Sequence, residues 1–474
     1  MKRGLFAGLF AAGMAFGGSA ADAEVWKDYT EWRWAPFKVE STNALHEYRS
    51  TFDLTVPVHG PWLTLPSETG MTVTWITRRA CAGGLAYREK GTTNWVERWQ
   101  TKYGQIDYTR EVQCVHLTGL KPGTEYEYRL DSNLDQFSSP YSQLIFRGKE
   151  IRSFRTADPK RTNYRVFLTS DIHGGFSLNV DPLMRAVGGE TSDFYFLLGD
   201  NVEDGTYNDF RYNATRGFLD DIVRVWGQSK PTVFIRGNHD SWGMDTYKWG
   251  DYFQQPDGKT YSAFRQGPCL FIALDTMWIP KEPLQRQQWE AYLDEQAAWL
   301  EGLKKTADWK ASTFRVVMFH VPIFPNEGDT FPYEHFGKVL SDETPEGRVH
   351  MVIAGHQHKY ARINPNTKEG RANNQYGDFP TEGKRPYPSP GFCRMKFPDR
   401  FPYVSVVLNF IEAATIDVAS DKLTFKSYRW MQKEGGFYDA FELSPDGTVK
   451  DLVDVTVYPW PQPQPKPDKK GKKK

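Results

Sequence analysis

Five short apolar runs in the middle of the chain each end directly before residues that can bind a metal ion. Runs of four to eight apolar, aromatic and β-branched residues predict buried strands. Ligands of open α/β sheets lie beyond the carboxyl ends of such strands, so we expect the residues after the five runs to converge on one point. The runs begin at Val166, Phe194, Thr232, Phe314 and His350, and they lead into Asp171-Ile172-His173, Gly199-Asp200-Asn201, Gly237-Asn238-His239-Asp240, His320, and Gly355-His356-Gln357-His358.

The evidence for a metal site is the order of these motifs, because each motif alone is weak evidence. A single Asp-x-His or Gly-Asn-His-Asp is common in ordinary turns. Five of the ten histidines of the chain nevertheless fall within the five motifs. Imidazole suits zinc, iron and similar ions, while carboxylate and amide oxygens suit harder cations. The pattern therefore predicts a metal site.

Two folded regions are predicted along the 474 residues. Residues 45–157 show alternating strand patterns separated by turns, as in Met71–Thr77 with Val73 and Trp75, which indicates an antiparallel β-sandwich. The turn that is followed by Glu-Tyr-Glu-Tyr-Arg at residues 125–129 resembles fibronectin type III domains in particular. Residues 163–432 alternate strands with helical patterns, the clearest of which is a helix over residues 285–305 with core-facing Trp289 and Leu293.

The ordered motifs resemble the calcineurin-like metallophosphoesterase family, and all five of its blocks are present. The preceding sandwich, with Gly60-Pro61-Trp62 and Thr72-Val73-Thr74-Trp75, is similar to the N-terminal domain of purple acid phosphatases. The resemblance covers about residues 50 to 430. It implies an α+β two-domain fold, in which a β-sandwich (fibronectin III-like) is followed by a four-layer α/β/β/α metallophosphoesterase domain.

The resemblance also implies a ligand set and a reaction. Two metal ions would be held, with Asp200 as the bridging ligand. The reaction would be hydrolysis of a phosphoric ester, with a metal-bridging hydroxide attacking phosphorus in line and His239 assisting. Asp240 is a candidate for orienting His239, and a helix-initiating carboxylate is the alternative interpretation. The remaining ligands would be Asp171, His173 and His358 for one ion, and Asn238, His320 and His356 for the other.

One departure from the purple enzymes concerns metal identity. Purple acid phosphatases carry a tyrosine three residues after the bridging aspartate and lack a histidine two residues after the first aspartate. Here Glu203 stands at the first position and His173 at the second. We therefore expect a colourless enzyme, and the metals, which are Fe, Zn or Mn or a mixture, are left open by the ligand set.

The substrate expected is a small phosphate ester, with a phosphomonoester favoured and a phosphodiesterase or nucleotide hydrolase as the alternative. A surface-binding module with a degenerate catalytic domain is the alternative of another class, which the intact ligand set disfavours. Several loop residues are candidates for phosphate contacts or for stacking on an aromatic group. They are Arg211, Arg216 and Arg265, and Tyr207, Tyr212, Trp242 and Trp249.

The chain ends predict export. Residues 1–23 combine basic Lys2 and Arg3 with a short apolar stretch and small residues up to Ala23, which is typical of a signal peptide. We expect a periplasmic, secreted or cell-surface protein without a transmembrane segment. Residues 459–474 form a Pro- and Lys-rich tail that is predicted to be disordered.

Charge and cysteine content narrow the functions further. The chain has 59 basic and 59 acidic residues, and without the two terminal segments the remainder is mildly acidic. That balance predicts no nucleic-acid-binding surface. The four cysteines include no C-x-x-C pair, so a thiolate zinc site is not expected; a Cys81–Cys114 disulfide and ordinary buried thiols are both open. The oligomeric state is open as well.

Overall fold

The described residues all lie within the unit Pro57–Lys474. The signal-peptide prediction, the tail prediction and Glu203 lie outside them. No helix in this part of the chain is long and apolar enough to cross a membrane. The computed structural model describes residues 57–133, 145–174, 176–202, 214–243, 245–255, 258–277, 282–323, 331–358, 360–366, 369–373, 391–396, 401–410, 412–429, 439–453 and 456–458.

The first part of the unit is a β-sandwich built around one long strand, β2. The first half of β2 pairs with β1 and β6, and its second half pairs with β3 and β7, so the strand contributes to both layers. The strands are β1 (Pro57–Thr64), β2 (Gly70–Glu89), β3 (Val96–Trp99), β4 (Thr101–Lys102), β5 (Gln105–Ile106), β6 (Arg110–Thr118), β7 (Glu125–Asn133), β8 (Ile145–Arg147) and β9 (Arg152–Arg155).

The sandwich packs directly on the rest of the chain. Val73 and Trp75 point into the sandwich core, as their alternation predicts, but Ile76 and Trp62 are also fully buried, in a core shared with the following domain. The Trp62 indole N–H donates to the carbonyl of Tyr252 at 3.0 Å. β2 is therefore buried on both faces, where the alternation alone predicts one buried face.

Two further sheets form the second part of the unit. The first has the strand order β12-β11-β10-β21-β22-β23-β24, and the second has the order β13-β14-β15-β16-β20-β17-β18-β19-β25. Strands β10, β11 and β12 are parallel, as are β14, β15, β16 and β20. The bounds are β10 (Tyr164–Thr169), β11 (Phe194–Leu198), β12 (Thr232–Ile235), β13 (Ser262–Gln266), β14 (Cys269–Ala273), β15 (Phe314–Met318), β16 (Met351–Ala354), β17 (Tyr360–Ile363), β18 (Glu369–Asn373), β19 (Gly391–Lys396), β20 (Val404–Val407), β21 (Glu412–Val418), β22 (Leu423–Arg429), β23 (Asp439–Leu443), β24 (Val449–Asp451) and β25 (Thr456–Tyr458).

Helices cover the outer face of each sheet. Three buried cores separate the layers: one between the two sheets, one between the first sheet and its helices, and one between the second sheet and its helices. The predicted four-layer α/β/β/α order is confirmed. The helices are α1 (Phe176–Ala186), α2 (Asp220–Ile222, flanked by wider turns over Thr215–Leu219 and Val223–Gly227), α3 (Trp249–Tyr252), α4 (Pro283–Leu303), α5 (Ala307–Ala311) and α6 (Phe331–Leu340).

Helix α4 corresponds to the helix predicted over residues 285–305. It starts two residues earlier because Glu282 accepts a hydrogen bond from the Leu284 N–H as an N-cap, and Pro283 occupies the first turn. Trp289, Leu293 and Leu300 are buried against the second sheet.

The Cys81–Cys114 disulfide is not formed, and both thiols are free and buried. In the β2–β6 ladder Cys114 lies opposite Thr74, and Cys81 lies opposite Arg110 after a register shift. The two sulfur atoms contact threonine hydroxyls instead, Cys114 that of Thr74 and Cys81 that of Thr77, each at 3.6 Å. The strand register therefore keeps the two cysteines apart, and ordinary buried thiols are the correct alternative.

Candidate metal centre

All five motifs meet at the carboxyl ends of the parallel strands. Those that follow β10, β11 and β12 come from the first sheet, and those that follow β15 and β16 come from the second. Two groups of side chains could hold a metal ion, because the ligand atoms in each lie within 4.8 Å of one another. Asp200 is a member of both groups. The first consists of Asp171, His173, Asp200 and His358, and the second of Asp200, His320 and His356.

Asn238 completes the second group. Its side-chain oxygen lies 2.8 Å from His356 Nδ1 and 3.1 Å from His320 Nε2. On the other side of the centre, the Nε2 atoms of His173 and His358 lie 3.1 Å apart. The structure thus brings all seven predicted ligand residues together.

Five of the seven residues have a left-handed backbone. Their φ angles are positive, which costs on the order of 1–3 kcal/mol for each non-glycine residue and is concentrated at functional sites. The fold must hold them in place, since this conformation is not adopted spontaneously. The residues are Asp171 (φ 54°), His173 (φ 48°), Asp200 (φ 51°), His356 (φ 71°) and His358 (φ 50°).

Backbone hydrogen bonds between the strand ends maintain this geometry. The Asp171 N–H donates to the carbonyl of Gly199 at 3.0 Å, and the His173 N–H donates to that of Asp200 at 2.9 Å. The His356 N–H donates to the Asp171 carboxylate at 3.1 Å. Each loop is therefore held by its neighbour.

The glycines of the motifs are required by close packing. A Cβ atom on Gly237 would collide with the backbone nitrogen and carboxylate of Asp200, and one on Gly355 would collide with the side chains of Ser170 and Asp171. The Gly-Asp, Gly-Asn-His-Asp and Gly-His-x-His patterns thus reflect the small distance between the loops.

The surroundings of His320 favour a positive charge at its Nε2 atom. Its Nδ1 lies 2.7 Å from the carbonyl of Leu198 and donates to it, so Nε2 is directed at Asp200 Oδ2 and Asn238 Oδ1, both at 3.1 Å. Burial would lower the pKa of His320, but the negative charge of Asp200 raises it to about 9. A ring nitrogen that faces two acceptors requires a positive charge, either a proton or a metal ion.

The buried carboxylates of Asp171 and Asp200 are held in the ionised form. Burial would raise their pKa values, but the hydrogen bond from His358 lowers the pKa of Asp171, and the charge of His320 lowers that of Asp200. Both carboxylates are about 1% exposed. Buried anions among imidazoles form a donor set that suits transition metals, so the residues present fit a pair of such ions.

His239 lies beside the centre on its accessible side. Its backbone N–H donates to Asp200 Oδ1 at 2.8 Å, and its Nε2 lies 3.8 Å from Asp200 Oδ2. Its ring packs edge-on against that of His173 at 4.5 Å between centroids. His239 thus contacts both the Asp200 carboxylate and the His173 ring.

Asp240 is fully enclosed and connects two loops. Its carboxylate accepts the backbone N–H groups of Gly237 at 2.9 Å, Asn201 at 3.1 Å and Val202 at 3.3 Å. Burial, and then the charge of Asp200, raise its pKa to about 6. These hydrogen bonds support the loops that carry Asp200 and Asn238; the orientation of His239 by Asp240 stays a prediction.

Of the loop candidates whose side chains the structure describes, Trp242 lies next to the centre, and Trp249 and Arg265 do not. Its ring packs against that of His239 at 4.3 Å. Trp249 is 1% exposed and belongs to the core beneath the first sheet. Arg265 forms ion pairs with Glu68 and Asp308. The side chains of Arg211, Arg216, Tyr207 and Tyr212 lie outside the described part of the chain.

The structure adds Phe410, which the motifs do not predict. Phe410 follows β20, and its ring stacks on that of His358 at 5.4 Å. The sequence predicts a strand over residues 403–408, but it does not reveal that this strand pairs in parallel with β16. The pairing brings a sixth strand end to the site.

Comparison with known proteins confirms the resemblance. Residues 164–360 match the family model of the calcineurin-like phosphoesterases, and residues 58–144 match that of the N-terminal domain of purple acid phosphatases. The second part of the unit is thus a calcineurin-like phosphoesterase domain, and a purple acid phosphatase N-terminal domain precedes it.

Several curated proteins are similar to parts of the chain. Serine/threonine-protein phosphatase CPPED1 of Bos taurus is 27% identical over 176 residues, which cover 35% of this chain and 54% of that protein. Purple acid phosphatase 23 of Arabidopsis thaliana is 23% identical over 368 residues, or 64% of this chain and 73% of that protein. The chain thus spans about half the length of the CPPED1 proteins. These matches support the predicted enzyme class, a phosphoric ester hydrolase.

A solved structure shares the fold. The structure of PhoD superposes with a TM-score of 0.56 at 12% sequence identity, covering 85% of this chain and 94% of that one. At this identity the similarity concerns the fold alone.

Proposed function

We propose that this chain is an exported phosphomonoesterase with two metal ions that share Asp200. The observation that carries the proposal is the position of Asp200, whose carboxylate belongs to both groups of candidate ligands. Two cations about 3.5–4 Å apart need an anion between them, and a buried, ionised aspartate supplies one. The phosphatase names of the relatives support a monoester rather than a diester as substrate.

Each ion would take ligands from both sheets. Asp171, His173 and His358 would hold one ion, and Asn238, His320 and His356 the other, with Asp200 common to both. Such a pair of ions, of Fe, Zn or Mn, supplies Lewis acidity toward the phosphoryl oxygens and a nucleophilic hydroxide at neutral pH.

His239 acts on the substrate. It is 15% exposed and lies beside the shared carboxylate, so its protonated ring can hydrogen-bond to the leaving oxygen and donate its proton there as the P–O bond breaks. Asp240 acts indirectly, because its hydrogen bonds to Gly237 and Asn201 keep the loops of Asn238 and Asp200 in register.

Two broader parts of the proposal rest on the sequence. Residues 1–23 act as a signal peptide cleaved near Ala23, which places the mature protein outside the cytoplasm. The domains extend over 45–157, with fibronectin III-like character, and over 163–432. Mass spectrometry of the mature N-terminus tests the first part, and limited proteolysis tests the second.

The activity is tested by hydrolysis of p-nitrophenyl phosphate with wild type and the Asp200→Asn variant. We expect an active wild type and an activity loss of at least a hundredfold in the variant. The matched control is Asp131→Asn in the sandwich, also 1% exposed, whose carboxylate pairs with Arg129 and Arg147 and not with any candidate ligand. A metal-loaded wild type that hydrolyses neither this ester nor bis-p-nitrophenyl phosphate contradicts the proposal; preference for the latter makes it a diesterase.

A further inference from the structure

We propose that Trp242 and Phe410 bind the alcohol side of the substrate, and that the preferred substrates are phosphate esters whose leaving group carries a planar aromatic ring. This inference rests on the proposed function, because it assigns the substrate class of the same site.

Among the described residues, the centre has a buried floor and a more accessible face. Asp171, Asp200 and His320 are at most 1% exposed and form the floor. His239 and His358 are partly exposed, with 15% and 43% of their side chains accessible. A substrate therefore reaches the centre past these histidines.

Trp242 lies on this face, next to the position of the leaving oxygen. It follows the short helical turn His239–Ser241, and its ring lies 4.3 Å from the ring of His239 at an angle of 37°. Because His239 is the group that contacts the leaving oxygen, whatever is attached to that oxygen passes close to the indole.

Phe410 borders the same face from the second sheet. Its ring stacks on His358 at 5.4 Å and 25° and lies 6.0 Å from His173. Two aromatic side chains from separate elements thus flank a polar centre. Both are half-buried, and neither belongs to the hydrophobic cores of the described residues.

The expected contribution of the rings is modest and specific. An aromatic contact contributes roughly a two- to tenfold gain in affinity beyond the area that it buries. An alkyl leaving group offers no ring and loses that gain, although its phosphoryl group meets the same centre.

The experiment compares phenyl phosphate with glycerol 2-phosphate for the variants Trp242→Leu and Phe410→Leu. Each variant is compared with the wild type on the same ester, so the intrinsic reactivity of the ester cancels. We expect kcat/KM for phenyl phosphate to fall about fivefold or more per variant relative to kcat/KM for glycerol 2-phosphate. An equal fall on both esters, or no fall, overturns the proposal. Trp242→Phe retains a ring and should retain the preference.

A matched control and a binding measurement complete the test. Trp95→Leu replaces a half-buried tryptophan of the sandwich that packs against Arg88 and Arg129. This variant should change kcat/KM for neither ester. Calorimetry with phenylphosphonate and methylphosphonate needs no turnover, so it separates this proposal from the proposed function. If the wild type binds phenylphosphonate no better than methylphosphonate, the proposal is wrong even when the enzyme is active. If the wild type hydrolyses neither ester but binds phenylphosphonate better than methylphosphonate, and this preference depends on Trp242, the proposed function is wrong and the aromatic site is supported.

Discussion

Asp200 and His320 face each other across the two sheets, with His320 Nε2 3.1 Å from Asp200 Oδ2. Asp200 follows β11 of the first sheet, and His320 follows β15 of the second. Each side chain shifts the pKa of the other toward the charged form. A metal ion between them would replace the shared proton, so the centre would also join the two layers of the domain.

Gly237 should not tolerate a side chain. In Gly237→Ala the new Cβ would meet the backbone and carboxylate of Asp200, which displaces the shared ligand. We expect an activity loss of roughly tenfold or more, with reduced metal content, since small displacements at catalytic centres can cost up to about a hundredfold.

The control for this variant is Gly302→Ala in α4. No atom lies within 4 Å of the Cβ position there, and alanine favours a helix over glycine by up to about 1 kcal/mol. It should keep full activity and be slightly more stable. Full activity and metal content in Gly237→Ala would show that the loops are not held as described.

His239 should be required for turnover and not for metal binding. In His239→Asn we expect kcat to fall by about 10²–10⁴, the range for loss of a general acid, while metal content is unchanged. Steady-state kinetics and elemental analysis measure the two effects. His335→Asn is the matched control, because His335, on α6, is also 15% exposed and pairs with Asp294 of α4. Loss of metal in His239→Asn would make His239 a ligand instead.

Protein stability should fall as the pH drops below about 6.5, partly through His350. Burial lowers the pKa of His350 to about 4, and its Nδ1 accepts the Arg315 N–H at 3.2 Å. Because the folded-state pKa lies below the unfolded value of about 6.5, the folded state favours the neutral ring. The neutral ring contributes up to about 3 kcal/mol to the free energy of unfolding. This contribution is complete above about pH 6.5 and is lost as the pH falls toward 4.

Urea unfolding from pH 7.5 to 4 measures this dependence. His350→Gln should be less stable at neutral pH but should lose less stability on acidification. Identical slopes for variant and wild type would rule out His350 as the source.

The purified protein should be colourless. Glu203 stands where purple acid phosphatases carry the tyrosine of their iron–tyrosinate centre, and a carboxylate gives no comparable charge-transfer band. An absorbance spectrum of the metal-loaded protein checks this expectation. A strong visible band would contradict it and would require another tyrosine near the metals.

The candidate ligands could be selected from the sequence because each motif is local. A strand end and the two or three residues after it lie together along the chain, and the parallel sheets then gather all of the ends at one edge. The glycines of the motifs carried part of this signal, since Gly237 and Gly355 mark the points where loops nearly touch.

Features that depend on pairing between distant strands could not be predicted from the sequence. Phe410 reaches the site because β20 lies beside β16, and nothing local to residues 403–408 indicates that neighbour. The alternation in β2 predicts one buried face, and it does not reveal that Ile76 on the other face packs against the second domain. The Cys81–Cys114 pairing was open from the sequence, and the register shift in β2 excludes it.

Metal stoichiometry tests the central claim most directly. Elemental analysis of the purified, metal-loaded protein should give two ions per chain, and Asp200→Asn should bind fewer than one while Asp131→Asn keeps both. The shared position of Asp200 demands this result, because its loss removes a ligand from each ion. One ion per wild-type chain, or two ions retained in Asp200→Asn, would contradict a centre in which Asp200 bridges two metals.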